Sequence, residues 1–235
     1  MTFSLLVRDP ESGELGGAAA TGSLCVGGWV LRGRLGAGMS ASQGAAPSTY
    51  WGEDVLDLMG NGTAADEALS AVVGPDEGRD WRQLACLDPA GLTSAHSGSR
   101  NGDQKGHICQ RDAVASGNIL ASLATLETLL GTYADTSGPM SARLLAALTA
   151  AQAKGGDSRG LKSAALLVLG PDRPPLTLRV DLAGDPLSAL ADLHQAATTG
   201  PYAAWTKAVP VARDRMRADR SIIESDGPEP VSQKT

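Results

Sequence analysis

Met1-Thr2-Phe3-Ser4-Leu5-Leu6-Val7-Arg8-Asp9-Pro10 is the stretch on which the reading of this chain turns. Phe3, Leu5 and Val7 alternate with Thr2, Ser4 and Leu6, the period of two that side chains follow along a β-strand. A strand starting at Thr2 holds the head of the chain in the fold, where fraying is the usual outcome. Met1 is expected to be excised ahead of so small a residue, leaving Thr2 with a free α-amine beside its own Oγ. Such an amine titrates near pH ~8, close enough to neutrality to take the hydroxyl proton. A threonine activated by its own terminal amine is an established way to attack a carbonyl. The plain alternative is a strand that merely happens to lie near the first codon.

Outward from this strand, Asp9-Pro10-Glu11-Ser12-Gly13 is a turn and Leu15 to Ala20 a small-residue hairpin partner. Val26 to Leu31 and Leu35 to Ser42 read as two further strands, so the first forty residues are expected to be almost entirely β. Helical periodicity follows from near Tyr50 to Met59, closed by Gly60-Asn61-Gly62, and again after Thr63 through Ala68, Leu69, Val72 and Val73. Gln83 to Asp88 and Leu92 to Ser97 flank Pro89-Ala90-Gly91 as a second hairpin. A polar loop then runs through Gly106 to a strand over Asp112 to Ser116. Asn118 is placed as the cap of a helix from Ile119 to about Tyr133, and Ser141 as the cap of another to about Lys154. Ser163 to Leu169 and Leu176 to Leu182 form the last β pair, before a helix from Pro186 to about Ala197. Strand runs followed by helix pairs do not suit alternating parallel βαβ units. The expected fold class is α+β: a four-layer αββα sandwich of two antiparallel sheets with helices outside. Residues 1–200 make this domain and 201–235 a C-terminal extension, helical at first and too polar to pack at its end.

Composition limits the function. The 235 residues are 42% hydrophobic and 20% charged with only 3% aromatic, so the core is built from Ala, Leu and Val. A net charge of -6 argues against a nucleic-acid partner, which needs a basic face. No apolar run approaches the ~20 residues of a membrane span. Three cysteines in no metal or redox spacing, and a head without signal-peptide order, point to the cytoplasm. His96, His107 and Cys109 match no zinc signature, so neither metal nor cofactor is expected. Gly155-Gly156-Asp157-Ser158-Arg159-Gly160 lacks the Gly-Lys-Ser/Thr ending of a phosphate loop. No nucleophile-elbow motif places a serine triad.

The chemistry therefore gathers around Thr2. Ser40-Ala41-Ser42-Gln43-Gly44 ends a strand and turns towards a helix, where freed amides of Gln43 and Gly44 can bind a developing oxyanion. Asn118 is either a cap or a further oxyanion contact. Arg32 or Arg34 near the terminal amine would lower its pKa and keep it neutral and basic, and Ser42 is expected beside Arg32 as a supporting residue. The Lys207 to Arg220 run, with its several arginines, suggests a homo-oligomeric partner surface.

Taken together, Thr2-Phe3-Ser4, Arg8-Asp9-Pro10, Gly13-Glu14-Leu15-Gly16, Ser42-Gln43, Arg82-Gln83, Gly117-Asn118-Ile119-Leu120, Gly155-Gly156-Asp157-Ser158-Arg159-Gly160 and Ser163-Ala164-Ala165-Leu166 resemble a bacterial and archaeal family of unknown function, DUF1028, over about residues 2–195. The resemblance implies an N-terminal-nucleophile hydrolase-like fold. Against the family pattern stand Ser42, Ser116, Asn101 and Gly22, and no lysine precedes Lys105, which leaves Arg32 as the nearest cation; arginine does not shuttle protons. The functional expectation is an amidohydrolase cleaving a small amide or peptide through Thr2. The alternative is an inactive sandwich serving as a ligand-binding or assembly module.

Overall fold

The computed structural model describes residues 2–155 and 160–226. Strand β1 (Thr2–Arg8) lies in a six-stranded antiparallel sheet of order β10-β9-β2-β1-β8-β7, with β2 at Leu15–Thr21, β7 at Gly106–Gln110, β8 at Ala113–Asn118, β9 at Ser163–Gly170 and β10 at Arg173–Val180. A second sheet runs β3 (Leu31–Arg34), β4 (Gly38–Gly44), β5 (Arg82–Leu87), β6 (Thr93–Ser97), again antiparallel throughout. The alternation read from the first ten residues decides which face of β1 sees what. Phe3, Leu5 and Val7 are fully buried under helices α4 (Ala124–Asp135) and α5 (Met140–Ala153), whereas Leu6 packs with Met39 and Ala41 of the opposite sheet. A third apolar cluster joins Leu84 and Cys86 of β5 to α2 (Thr49–Gly60) and α3 (Ala65–Val73). Three cores separating four layers make the αββα sandwich.

Small side chains are what let the layers close. A Cβ on Gly16 would meet Met140 Sδ at 2.6 Å on one face of β2, and one on Gly17 would meet Met39 Cε at 2.9 Å on the other. Interiors packed to near-crystalline density leave no room for either methyl.

The structure departs from the sequence reading at several places. Val26–Trp29 forms a short helix, α1, and not the start of a strand. Cys25 takes a left-handed conformation at φ 60, and a Cβ on Gly27 would meet Ala165 and Arg179, so this turn sits directly on β9 and β10. β7 occupies part of the expected polar loop; it is an edge strand of largely exposed residues, which carries little apolar alternation to read. Asn118 ends β8 and caps no helix, since Ile119 at φ 52 breaks the path and α4 begins only at Ala124. Beyond α6 (Pro186–Thr198), the extension forms two short helices, α7 (Gly200–Thr206) and α8 (Arg220–Asp226), in place of one docking helix. Buried Ala208 and Val211, with the Arg213 N–H donating to Pro171 O, tie this segment to the sandwich. The Gly156 to Arg159 part of the glycine loop and the stretch from Gly227 onward lie outside the described residues. Among the described residues no helix is long and apolar enough to cross a membrane.

Candidate active site

At one end of the space between the sheets the apolar core gives way to polar side chains. Thr2 stands opposite Thr21 on β2 and Asn118 on β8, so all three project from the same face of the six-stranded sheet. Ser4 and Ser116, one step inward, bond to each other at 2.9 Å. Facing them from the second sheet are Gln43 and Gln83, themselves cross-strand partners. Gln43, Gln83 and Asn118 are at most 2% exposed. Buried amides must find partners, and their pattern here is specific.

Gln83 is the hub. Its Nε2 shares two hydrogens among three acceptors, the carbonyl oxygens of Gly106 and Gly117, each at 3.0 Å, and Ser97 Oγ at 2.7 Å. Main-chain carbonyls can only accept, so the amide orientation of Gln83 is settled. Its Oε1 must then receive donors, and does: Gln43 Nε2 at 2.7 Å and Asn118 Nδ2 at 3.1 Å. With Gln43 obliged to donate on that side, its own Oε1 is left buried without a hydrogen-bond partner. On the far side of Ser97, Oγ lies 2.9 Å from His107 Nδ1. Burial holds the pKa of His107 below the ordinary value, helped by the charge of His96.

A cavity of about 340 Å3 opens beside this network, lined by Thr2, Thr21, Trp29, Gln43, Gly44 and Pro47 among others. Thr2 Oγ1 lies 3.0 Å from Thr21 Oγ1. Among the described residues lining the cavity none has an ionisable side chain. Gly44, at φ 128, is a position only glycine fills: a Cβ would lie 2.7 Å from Trp81 O and 2.8 Å from Asn101 Oδ1. Asn101 holds this corner by accepting the Ala45 N–H at 2.8 Å. Amides alternate sides along a strand. The Ser42 N–H donates to Val30 O, so the Gly44 N–H points the same way, past the end of β3, and the Gln43 N–H faces β5.

The structure thus brings Thr2, Gln43 and Gly44 to one cavity and places Asn118 beside Thr2, with its amide turned onto Gln83. It separates the two supporting residues from them. Ser42 Oγ donates to Ser48 O, and Ser40 Oγ to Gly52 O, under α2 on the outer face of the sheet. Arg32, opposite Ser40 in register, shares that outer face; its Nε bonds Glu53 Oε1 at 3.1 Å and its Nη1 the Trp29 carbonyl. Arg34 pairs with Asp57 at 2.8 Å. Neither arginine lines the Thr2 cavity, because the even positions of β3 point away from the other sheet. His96 points outward too, against Trp51, while His107 points inward. Gln83 was not among the residues singled out for chemistry. A glutamine leading into the apolar run Leu84-Ala85-Cys86-Leu87 of β5 was the signal that could have marked it.

The chain is thus a four-layer αββα sandwich of two antiparallel sheets, with a cleft between the sheets that opens beside the hydroxyl residue at the head of β1. The chain belongs to DUF1028, a family of unknown function, whose model matches residues 2–190. A crystal structure of a Silicibacter pomeroyi protein of this family is 52% identical, superposes with a TM-score of 0.89, and matches over 92% of this chain and 95% of that one. HslV from Trypanosoma brucei (13% identity, TM-score 0.44, 72% of this chain and 99% of that one) and Anbu from Yersinia bercovieri (13%, 0.37, 81% and 92%) are distantly similar. No curated protein matches the chain.

Proposed function

We propose that the protein is an N-terminal-nucleophile amidohydrolase acting on a small, uncharged amide or peptide, with Thr2 as nucleophile. The observation that carries this reading is the position of Thr2. It sits at the head of a central strand, half-buried, with its hydroxyl at a cavity that also receives Gly44 from the opposite sheet. In a chain that begins at Thr2, the α-amine takes the Oγ proton as Oγ attacks the substrate carbonyl carbon. The Gly44 N–H donates to the oxyanion; one such donor is worth about 3 kcal/mol in comparable sites. The ammonium then returns the proton to the leaving nitrogen as the C–N bond breaks, and water releases the acyl group from Oγ by the same route. The neutral lining suits an uncharged substrate and leaves the amine unopposed by other charges.

The same neutral lining suits a ligand-binding module, and one experiment separates the two. Protein purified without an N-terminal tag is weighed intact, then incubated with a β-lactone, whose carbonyl a threonine Oγ opens to an ester. The expected result is a mass corresponding to a Thr2 start, a single adduct on the N-terminal peptide, its loss in Thr2→Ala and its retention in Thr2→Ser, with unchanged melting behaviour. Retained Met1 in the natural protein, or labelling that persists in Thr2→Ala, ends the hydrolase reading. The basic Arg213 to Arg220 segment and exposed Tyr202 and Trp205 support a homo-oligomer, which a monomeric mass in solution scattering would refute.

A further inference from the structure

The buried, unpartnered Oε1 of Gln43 is the one feature of the cleft that the reaction scheme leaves unexplained. Reversing the amide gives no relief, because Gln43 would then present an oxygen to Gln83 Oε1, itself fixed by the two glycine carbonyls. The oxygen therefore stands ready for a donor not supplied by the neighbouring side chains. Thr2 is the neighbour that can supply one. It lines the same cavity as Gln43, and its register partner Asn118 bonds the same Gln83 oxygen as Gln43 does. Strand parity turns one hydrogen of the Thr2 nitrogen towards Asn118 on β8: the Arg8 N–H donates to Asp112 on that side, and Thr2, six residues earlier, has the same parity. As long as Met1 is attached, that nitrogen is an amide with a single hydrogen. Freed, it gains donors.

We propose that Gln43 Oε1 accepts a hydrogen bond from the free α-amine of Thr2, and that Gln83 is the positioning residue that turns the Gln43 amide to do so. This rests on the Thr2 start of the preceding section but not on catalysis. An amine with one N–H held by a neutral acceptor keeps its lone pair in a defined direction, available to Thr2 Oγ, and is made more basic, because the acceptor favours the protonated form. The uncharged cleft thereby orients the amine through a pair of glutamines and raises its basicity, the opposite of the lowering expected from Arg32.

The test uses the full chain prepared with Thr2 as its first residue. The pH dependence of acetylation of the N-terminal amine by acetic anhydride is followed by mass spectrometry of the N-terminal peptide. The midpoint of the profile is compared, and not its plateau, so that altered access does not interfere. In Gln43→Met and Gln83→Met the midpoint is expected to fall together, making the amine about threefold more reactive at pH 7 than in the wild type, with no further shift in the double variant. Gln43→Met decides alone should Gln83→Met fail to fold. Identical midpoints in wild type and Gln43→Met overturn the proposal. A shifted midpoint in a protein that takes up no β-lactone would remove the hydrolase reading and leave the contact standing.

Discussion

Replacing Gln83 by methionine keeps the length and volume of the side chain and removes every polar atom at the hub. Five hydrogen bonds end on this residue. Ser97 is near the surface and can turn to water, so its loss costs little. The carbonyls of Gly106 and Gly117 are cross-strand partners in the β7–β8 ladder and keep acceptor roles there, whereas the amides of Gln43 and Asn118 sit on residues at most 2% exposed and lose a buried acceptor. A buried group left unsatisfied costs about 1 kcal/mol or more. Two of them make Gln83→Met destabilising by about 2 kcal/mol, a sizeable share of the roughly 5–15 kcal/mol typical of a domain. Gln43→Met, which breaks a single one of these bonds, should cost about 1 kcal/mol. Urea unfolding followed by far-ultraviolet circular dichroism measures both. The expected outcome is a midpoint lowered about twice as far in Gln83→Met as in Gln43→Met, with the same slope. A Gln83→Met variant within about 1 kcal/mol of the wild type would show that the network is incidental and that the amide orientations argued from it do not hold.

Two other outcomes follow from the same geometry. Arg32→Gln removes a part-exposed ion pair with Glu53 on the far face of the second sheet, so stability should change by no more than about 1 kcal/mol and β-lactone labelling not at all; a lost adduct would return Arg32 to the site. His107 and His194 are both held below the ordinary value of 6.5, by burial first and then by the charges of His96 and Arg173 respectively. The unfolded chain therefore binds protons more readily than the folded one as pH falls through that value, and stability should drop between pH 7 and pH 5. His107→Asn, whose Oδ1 can stand where Nδ1 accepts from Ser97, should flatten the profile; a wild type equally stable at both pH values would contradict the assigned environments.

Much of the architecture was legible in the residues because periodicity is a local property. Phe3, Leu5 and Val7 against Ser4 and Leu6 identified β1 and its two faces, and the stripe of Ala68, Leu69, Val72 and Val73 identified α3. Elements without such a pattern escaped. Val26–Trp29 carries strand-like composition, yet folds as a helical turn because Gly27 must press against Ala165. β7 is an edge strand with too little buried surface to impose alternation.

The site divides along the same line. Thr2 and the Gln43-Gly44 corner could be picked out from residue type and from their position at strand ends. The outward aim of Arg32 and Ser42 follows from strand parity only once β3 and β4 are known to begin where they do, since a shift of one residue exchanges the two faces. Gln83 is further still from being readable. Its meaning lies in carbonyls from Gly106 and Gly117 and amides from Gln43 and Asn118, residues up to forty positions away that only the packing of one sheet on another assembles. Sequence by itself determined the strands with a clear apolar alternation, the order of strand runs and helix pairs, and the residue at the head of β1, because each follows from the order of side chains along the chain. Which polar atoms meet, and which one is left waiting for a donor, was decided by tertiary structure, because hydrogen bonds are satisfied in space and not along the chain.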